Sequence, residues 1–359
     1  MMFALSADLR RYKSVRNSNI EVFRCLLMFL IVLYHYGNEC VARGSTSFWS
    51  LIFTAFILWH VDGFVAISGW FGIKFSWLKF FRLWGLIVFY WFLGLVYRGF
   101  QTVWHLVPND FYFTGGWFGG TYLALMLFSP ILNAGLKSLV AESARKAWYC
   151  WGLFAAIIFL GWIPFHLFTC VEASGGGSHT FLTMMFVYVT ARMCALTDMS
   201  KIRLKWIVLA WIGFFGGVFL TGLPKMYLVY RRTGMADWSR CNWLVGYDAP
   251  FVVLMAIATF LFFMCHAKLP QWICRCATFI GPSTFAIYLM HTGNWMTAFV
   301  SRPAIEALKE RGVHPLFIAF AIAIIVYVAC VLVDLVRRGG LQMIKVGARA
   351  VIAMCANDK

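Results

Sequence analysis

Two ionisable side chains, Arg24 and His35, lie inside the first apolar segment of the chain, residues 20–37. In an α-helix their spacing of eleven residues is a rise of about 16.5 Å and falls within about 20° of three full turns, so both share one face. An ionisable residue in a membrane span is costly and by default marks a polar pathway or a site. The spacing therefore predicts a functional helix face with a cation at one end and a histidine at the other.

Histidine is the side chain best suited to take a proton from a hydroxyl group near neutral pH. A second histidine, His291, is expected at the depth of His35, because each lies roughly 21 to 22 Å from the inner start of its own apolar segment. The two rings are expected to face one another in the outer half of the bilayer. His291 then takes part in catalysis, positions a substrate, or only ties its helix to the bundle.

The elements around these residues follow from the composition. Of 359 residues, 62% are hydrophobic and 13% are charged, whereas an ordinary soluble domain has about 25% charged residues. With a mean hydropathy of +0.77, the chain is predicted to be an all-α polytopic membrane protein with about ten transmembrane helices. The predicted spans are residues 20–38, 48–69, 77–97, 117–136, 147–165, 180–197, 204–222, 248–265, 277–299 and 315–334.

The Lys and Arg residues favour alternate loops, which by the positive-inside rule places both termini in the cytoplasm. The predicted organisation is a cytoplasmic segment 1–19, one transmembrane domain 20–334 and a cytoplasmic tail 335–359. A net charge of +17 is explained by inner loops that face the anionic headgroups of the lipid bilayer, so nucleic acid is not an expected partner. The basic stretch 223–247 is either a solvated outer loop or a site for an anionic partner.

Three further polar residues lie in the predicted spans beside the histidines. Asp62 is expected to pair with a buried histidine or arginine, because an unpaired carboxylate there would be costly. His60 lies two residues away on a different helix face, which favours a structural role. Tyr288 lies one turn before His291 and either donates a hydrogen bond to a developing oxyanion or packs in the core.

Four segments carry recognisable motifs. The first span has Arg24 and His35 with ten residues between them and Glu21 ahead of them, and the second ends in VDGFVAISGWF, residues 61–71. The fourth reads GWFGGTYLALMLFSPILN and the ninth reads FIGPSTFAIYLMH. In these motifs the chain resembles the bacterial acyltransferase 3 family, integral membrane enzymes that O-acylate glycans and other hydroxyl-bearing acceptors. The resemblance spans most of the chain in order.

The resemblance implies a multi-pass enzyme of the bacterial cytoplasmic membrane. Its expected reaction moves an acyl group, most simply acetyl, from cytoplasmic acyl-CoA as co-substrate to a hydroxyl of a cell-surface or lipid-linked glycan. No permanently bound cofactor and no metal are expected. The predicted catalytic residues are His35 as general base, with Asp62, His291 and Tyr288 around it. The donor-binding residues it implies are Arg24, Lys79, Arg82, Ser68 and Lys74.

One motif departs from the family pattern. The third helix of the family often begins with two arginines three residues apart, whereas this chain has Lys79 and Arg82. Lysine keeps the charge but lacks the planar fork that grips a phosphate with two bonds. The basic character of this step is retained, so donor binding is expected here with one bidentate contact fewer.

Several alternatives remain open at this point. Glu21 and Arg24 either form a neutralising ion pair or leave the arginine facing a cavity, and Ser68–Gly69 either packs two helices or lines a channel. The aromatic stretch 98–117 either stacks on sugar rings or forms an interfacial belt. A transporter or flippase is the rival function, since it also uses intramembrane Arg, His and Asp. Against it, the sequence has no internal symmetry and no paired interrupted helices.

Overall fold

The computed structural model describes residues 18–37, 40, 53, 55–97, 116–168, 181–234, 249–291 and 302–357, and within these ranges it contains helices and no strand. The helices are α1 (Ser18–Gly37), α2 (His60–Phe71), α3 (Trp77–Tyr97), α4 (Gly116–Glu142), α5 (Ala144–Phe168), α6 (Phe181–Leu196), α7 (Leu204–Thr233), α8 (Pro250–Cys265), α9 (Gln271–Ile280), α10 (Thr284–His291), α11 (Arg302–Glu310) and α12 (Pro315–Asn357). A 3₁₀ turn, Gly281–Ser283, joins α9 to α10.

Five stretches within the described part of the chain are long and apolar enough to cross a membrane. They are Ser18–Gly37, Trp77–Gly94, Phe118–Glu142, Gln271–His291 and Pro315–Ala348. Four shorter apolar helices accompany them, Ala55–Phe71, Phe181–Leu196, Leu204–Gly217 and Phe251–Cys265. The all-helical membrane architecture is therefore confirmed, while the count of ten spans and the cytoplasmic termini stay predictions.

Helix α1 is the central element of the bundle. It packs against α2, α8, α9, α10 and α12, and Phe23, Leu27 and Val32 along it are fully buried. Close approach of α2 to α6 depends on Gly69, because a Cβ atom there would collide with the backbone oxygen of Tyr188. The helix that carries Arg24 and His35 is thus enclosed by neighbours on several sides.

Pro130 lies inside α4 without ending it. Proline has no N–H to donate to the carbonyl four residues earlier, which here belongs to Met126. The hydroxyl of Ser129 donates to that carbonyl oxygen at 2.8 Å. Because the freed backbone acceptor is satisfied by a neighbouring side chain, α4 continues as one helix of 27 residues.

The prediction of a loop over residues 223–247 is wrong for the first part of this stretch, which is helical. Helix α7 has 30 residues, contains Pro224 and ends at Thr233, and the next residue, Gly234, has a left-handed φ of 70°. At about 45 Å it is longer than the hydrocarbon core of a bilayer, about 30 Å. Arg231 and Arg232 therefore stand exposed on the last turn of a helix, and Arg240 lies outside the described residues.

Two further boundaries differ from the expected ones. The ninth predicted span, 277–299, begins earlier, at Gln271, and its described part ends at His291. Helix α12 runs for 43 residues and passes unbroken through position 335, where the predicted tail begins. The aromatic stretch 98–117 lies outside the described residues up to position 115, so its role stays a prediction.

Candidate active site

His35 and His291 meet in the interior of the bundle. His35 lies in the last turn of α1 and His291 is the last residue of α10. The Nδ1 atom of His35 and the Nε2 atom of His291 are 2.9 Å apart, which is a hydrogen-bond distance. The structure thus brings together the two histidines that the sequence placed at one depth. Their catalytic role stays a prediction.

The hydrogen bonds of this pair determine where the protons lie. The Nδ1 atom of His291 is 2.8 Å from the carbonyl oxygen of Ile287, and since a carbonyl only accepts, this nitrogen carries the hydrogen. In the neutral ring Nε2 of His291 is then the acceptor, so Nδ1 of His35 donates to it. His35 is left with an unprotonated Nε2, which is the basic nitrogen that a general base needs.

The two rings differ in accessibility. His291 is 2% exposed, whereas His35 is accessible to solvent although it lies on a central helix. Of the two rings, His35 is therefore the one that a substrate can reach. This difference suits a base that meets the substrate and a partner that holds the base in one orientation.

Helix α2 contributes polar residues beside the pair. His60 is 0% exposed, and its ring lies 5.6 Å from that of Tyr34, which in turn lies 5.7 Å from that of His35. His60 is also close enough to interact electrostatically with both His35 and His291. Asp62 is buried in the same turn of α2, and its predicted pairing with a histidine or arginine stays a prediction.

A row of aromatic rings leads away from the histidines. Tyr288 makes an edge contact with His291 at 5.9 Å between ring centroids and one with Phe118 at 5.4 Å. Phe118 stacks on Tyr122 at 5.9 Å. The Tyr122 hydroxyl lies 3.0 Å from that of Ser68. These contacts form a continuous series from the histidine pair to Ser68. The oxyanion role of Tyr288 stays a prediction.

Sequence reasoning missed Tyr122, which lies between the two ends of the predicted path. Ser68 donates to the carbonyl oxygen of Phe64 at 3.2 Å, so the Tyr122 hydroxyl is the donor in its bond to Ser68 and keeps acceptor capacity. Tyr122 is also within electrostatic range of Arg24. The available signal was a tyrosine within the apolar fourth span. Its position in the sequence did not show that it lies close to Ser68 or Arg24.

Arg24 forms the ion pair that the sequence offered as one alternative. Its Nη1 lies 2.9 Å from Oε1 of Glu21, and the two side chains are 29% and 4% exposed. The Glu21 carboxylate packs so closely against Gly281 that a Cβ atom there would collide with it. The pair is therefore pressed against the 3₁₀ turn that leads into α10, with part of the guanidinium still accessible.

The remaining predicted donor residues lie at the end of α2 and the start of α3. Lys74, Lys79 and Arg82 are exposed, and the Lys79 ammonium donates to the carbonyl oxygen of Lys74 at 3.2 Å. Within the described residues no hydrogen bond or ion pair joins these three to Arg24.

A bundle of apolar helices with a hydrogen-bonded histidine pair defines a polytopic membrane protein with a polar site within its helices. The chain belongs to the acyltransferase 3 family, because the family model, described as an acyltransferase domain, matches residues 17–335. The protein is therefore a membrane acyltransferase. No curated protein and no solved structure matches the chain.

Proposed function

We propose that the protein is an O-acyltransferase of the bacterial cytoplasmic membrane. It takes an acyl group, most simply acetyl, from acyl-CoA on the cytoplasmic side and transfers it to a hydroxyl of a cell-surface or lipid-linked glycan. The observation that carries this proposal is the hydrogen-bonded pair of His35 and His291, whose pattern leaves a basic nitrogen on the accessible ring.

The proposed chemistry is direct transfer in one site. Nε2 of His35 takes the proton of the acceptor hydroxyl while the hydroxyl oxygen attacks the carbonyl carbon of the thioester. The C–S bond breaks as the C–O bond of the new ester forms. The proton then passes from His35 to the departing CoA thiolate. During this exchange the hydrogen bond from Nδ1 of His35 to His291 supports the positive charge on the ring.

The path of the donor follows the row of side chains between the two ends of the site. Phosphates stay at the cationic end near Arg24, Lys74, Lys79 and Arg82, and the pantetheine arm runs past Ser68 and Tyr122. The rise of about 16.5 Å from Arg24 to His35 is comparable to an extended pantetheine arm. Phosphates and thioester can therefore occupy their sites at the same time.

The deciding experiment is acyl transfer by the purified protein with His35 replaced by alanine. We expect transfer from acetyl-CoA to a glycan acceptor to fall by about 10²- to 10⁴-fold, the usual contribution of a general base. The thermal unfolding of the variant in detergent should match that of the wild-type protein. Undiminished transfer by a folded His35→Ala protein would remove His35 from the mechanism.

A second measurement separates the proposal from transport. Acetyl-CoA binding by the wild-type protein, and the mass increase of the acceptor glycan, are expected of an acyltransferase. Flux of a solute across vesicles without donor binding or a mass change would instead indicate a transporter. Mass spectrometry of surface glycans from cells with and without the protein identifies the acyl group and the acceptor together.

A further inference from the structure

Arg192, near the end of α6, is a half-buried cation that is held by backbone and not by a carboxylate. Its Nη1 donates to the carbonyl oxygen of Trp70 at 3.0 Å, and its buried Nε has no hydrogen-bond partner. Among the ion pairs of the described residues, none involves Arg192. Its charge is therefore not neutralised by the part of the protein that the structure describes.

The turn between α2 and α3, residues 72–76, is shaped around this guanidinium. Gly72 has a φ of +67°, and a Cβ atom there would lie 3.0 Å from Cζ of Arg192. Any other residue would strain the backbone and crowd the cation. Gly72 thus allows the charged group to lie directly against the turn.

Neutral groups hold the turn in place. The Tyr188 hydroxyl accepts from the backbone N–H of Ile73 at 3.0 Å and donates to Oδ1 of Asn133 at 2.9 Å. The Asn133 amide nitrogen donates to the carbonyl oxygen of Ile73 at 3.0 Å. Both backbone groups of Ile73 are therefore satisfied without a charged side chain, so the turn does not depend on Arg192 alone.

Two lysines add to the charge of the same turn. Lys74 is exposed within it, and the Lys79 ammonium donates to the carbonyl oxygen of Lys74. Arg192 and Lys79 are thus anchored on carbonyl groups at positions 70 and 74. A bond to a neutral carbonyl positions a cation and leaves its net charge available for an anion.

We propose that Arg192, together with Lys74 and Lys79, binds a phosphate group of the thioester donor, an assignment that rests on the proposed function. A guanidinium anchored through Nη1 keeps the hydrogens of Nη2 as donors for a phosphate oxygen, and its positive charge is shared over the whole group. The lysines add point charges beside it. Trp70 lies in the last turn of α2 and His60 in its first, so the phosphates bind at the opposite end of this helix from the histidines.

The test compares two donors on the purified full-length protein. Acetyl-CoA carries phosphates, whereas S-acetylpantetheine carries the same thioester and arm without them. For Arg192→Gln we expect the dissociation constant for acetyl-CoA to rise by about 10- to 100-fold, as for a lost hydrogen-bonded charge contact. The constant for S-acetylpantetheine should be unchanged. Arg192→Lys, which keeps the charge but loses the guanidinium donors, should give an intermediate value for acetyl-CoA.

Two further variants make the result specific. Arg145→Gln is the matched control, because Arg145 is an exposed cation at the start of α5 that lies 5.8 Å over the ring of Tyr149, and it should leave both constants unchanged. Lys74→Gln removes a charge from the turn without removing a bond that anchors it, and acetyl-CoA alone should bind more weakly. Thermal unfolding of every variant is measured alongside.

Each other outcome overturns part of the proposal. If Arg192→Gln and Lys74→Gln bind acetyl-CoA as the wild-type protein does, there is no phosphate site at this turn. Equal weakening for both donors, with a lower unfolding temperature, would make Arg192 a structural tie to Trp70. If the wild-type protein binds S-acetylpantetheine as tightly as acetyl-CoA, the proposed phosphate site is overturned, while the proposal that the donor is a thioester stands. Failure to bind either donor overturns the proposed function as well.

Discussion

The hydroxyl of Tyr90 donates a 2.7 Å hydrogen bond to the carboxylate of Asp334 and thereby joins α3 to α12. Asp334 is 0% exposed, and Arg337 pairs with the same carboxylate oxygen at 2.7 Å through its Nη2. A buried carboxylate is tolerated here because one hydroxyl and one guanidinium converge on it. This contact fixes the long last helix against the helix that begins with Lys79 and Arg82.

Asp334→Ala is expected to destabilise the protein, because Arg337 would lose its partner in a largely buried position. Removing one member of a buried ion pair costs about 3 to 5 kcal/mol. The measurement is thermal unfolding in detergent. Tyr90→Phe, which removes only the hydroxyl, should cost about 1 kcal/mol, and an Asp334→Ala protein as stable as Tyr90→Phe would show that the ion pair contributes nothing.

His291→Phe tests the orientation of the proposed base. Phenylalanine keeps an aromatic ring but removes the acceptor for Nδ1 of His35, so the proton is free to move to the nitrogen that should be basic. We expect kcat to fall by about 10²- to 10⁴-fold with little change in KM for the donor. Nitrogen-15 NMR of labelled histidine should show His35 protonated on Nδ1 in the wild-type protein only.

Tyr288→Phe is the matched control for that experiment. It keeps the ring that packs against His291 and Phe118 and removes only a hydroxyl. If the hydroxyl stabilises the oxyanion, kcat falls while the NMR signal of His35 stays at its wild-type position. A change in the His35 signal would instead mean that Tyr288 orients the pair.

Gly281→Ala tests the close packing of the Glu21–Arg24 pair against the 3₁₀ turn. The added methyl group would overlap the Glu21 carboxylate, so the pair must move, at a cost of about 1 to 3 kcal/mol. Thermal unfolding and the dissociation constant for acetyl-CoA are the readouts. Gly213→Ala is the control, since a Cβ atom there meets nothing within 4 Å and alanine favours a helix. Equal stability of the two variants would show that the Glu21 carboxylate does not pack closely against Gly281.

Tyr122→Phe tests whether this side chain lines the path of the donor. The variant loses the 3.0 Å bond to Ser68, and its stability should fall by about 1 kcal/mol. If the hydroxyl also accepts a hydrogen bond from an amide of the pantetheine arm, acetyl-CoA and S-acetylpantetheine should both bind several-fold more weakly. Unchanged binding of both donors would place Tyr122 outside the path.

Local pattern was enough to predict the elements that carry the site. The apolar run of the first span predicted α1 to within two residues at its start, and that of the third predicted α3 with both ends correct. The shared face of Arg24 and His35 follows from helix periodicity alone. The common depth of His35 and His291 followed from counting residues along two spans, and the 2.9 Å contact agrees with it.

Helix ends were less predictable near prolines, because a proline either ends a helix or lies within one. The seventh span was predicted to end at position 222, two residues before Pro224, yet α7 continues to Thr233. Pro130 leaves α4 intact because Ser129 satisfies the freed carbonyl. Whether a proline ends a helix depends on which groups lie near the carbonyl that has lost its N–H partner. The presence of a proline in the sequence does not show which groups these are.

The sequence by itself determined that the chain is a bundle of membrane helices, that the first of them carries a cation and a histidine on one face, and which family it resembles. These properties depend on composition and on periodicity within one helix. Only the tertiary structure decided which nitrogen of His35 is basic, that Tyr122 bonds to Ser68, that Asp334 meets Tyr90, and that Arg192 lies against Gly72. Each of these relationships joins different helices, so it depends on how the helices pack and on the direction of single hydrogen bonds, and local sequence carries neither.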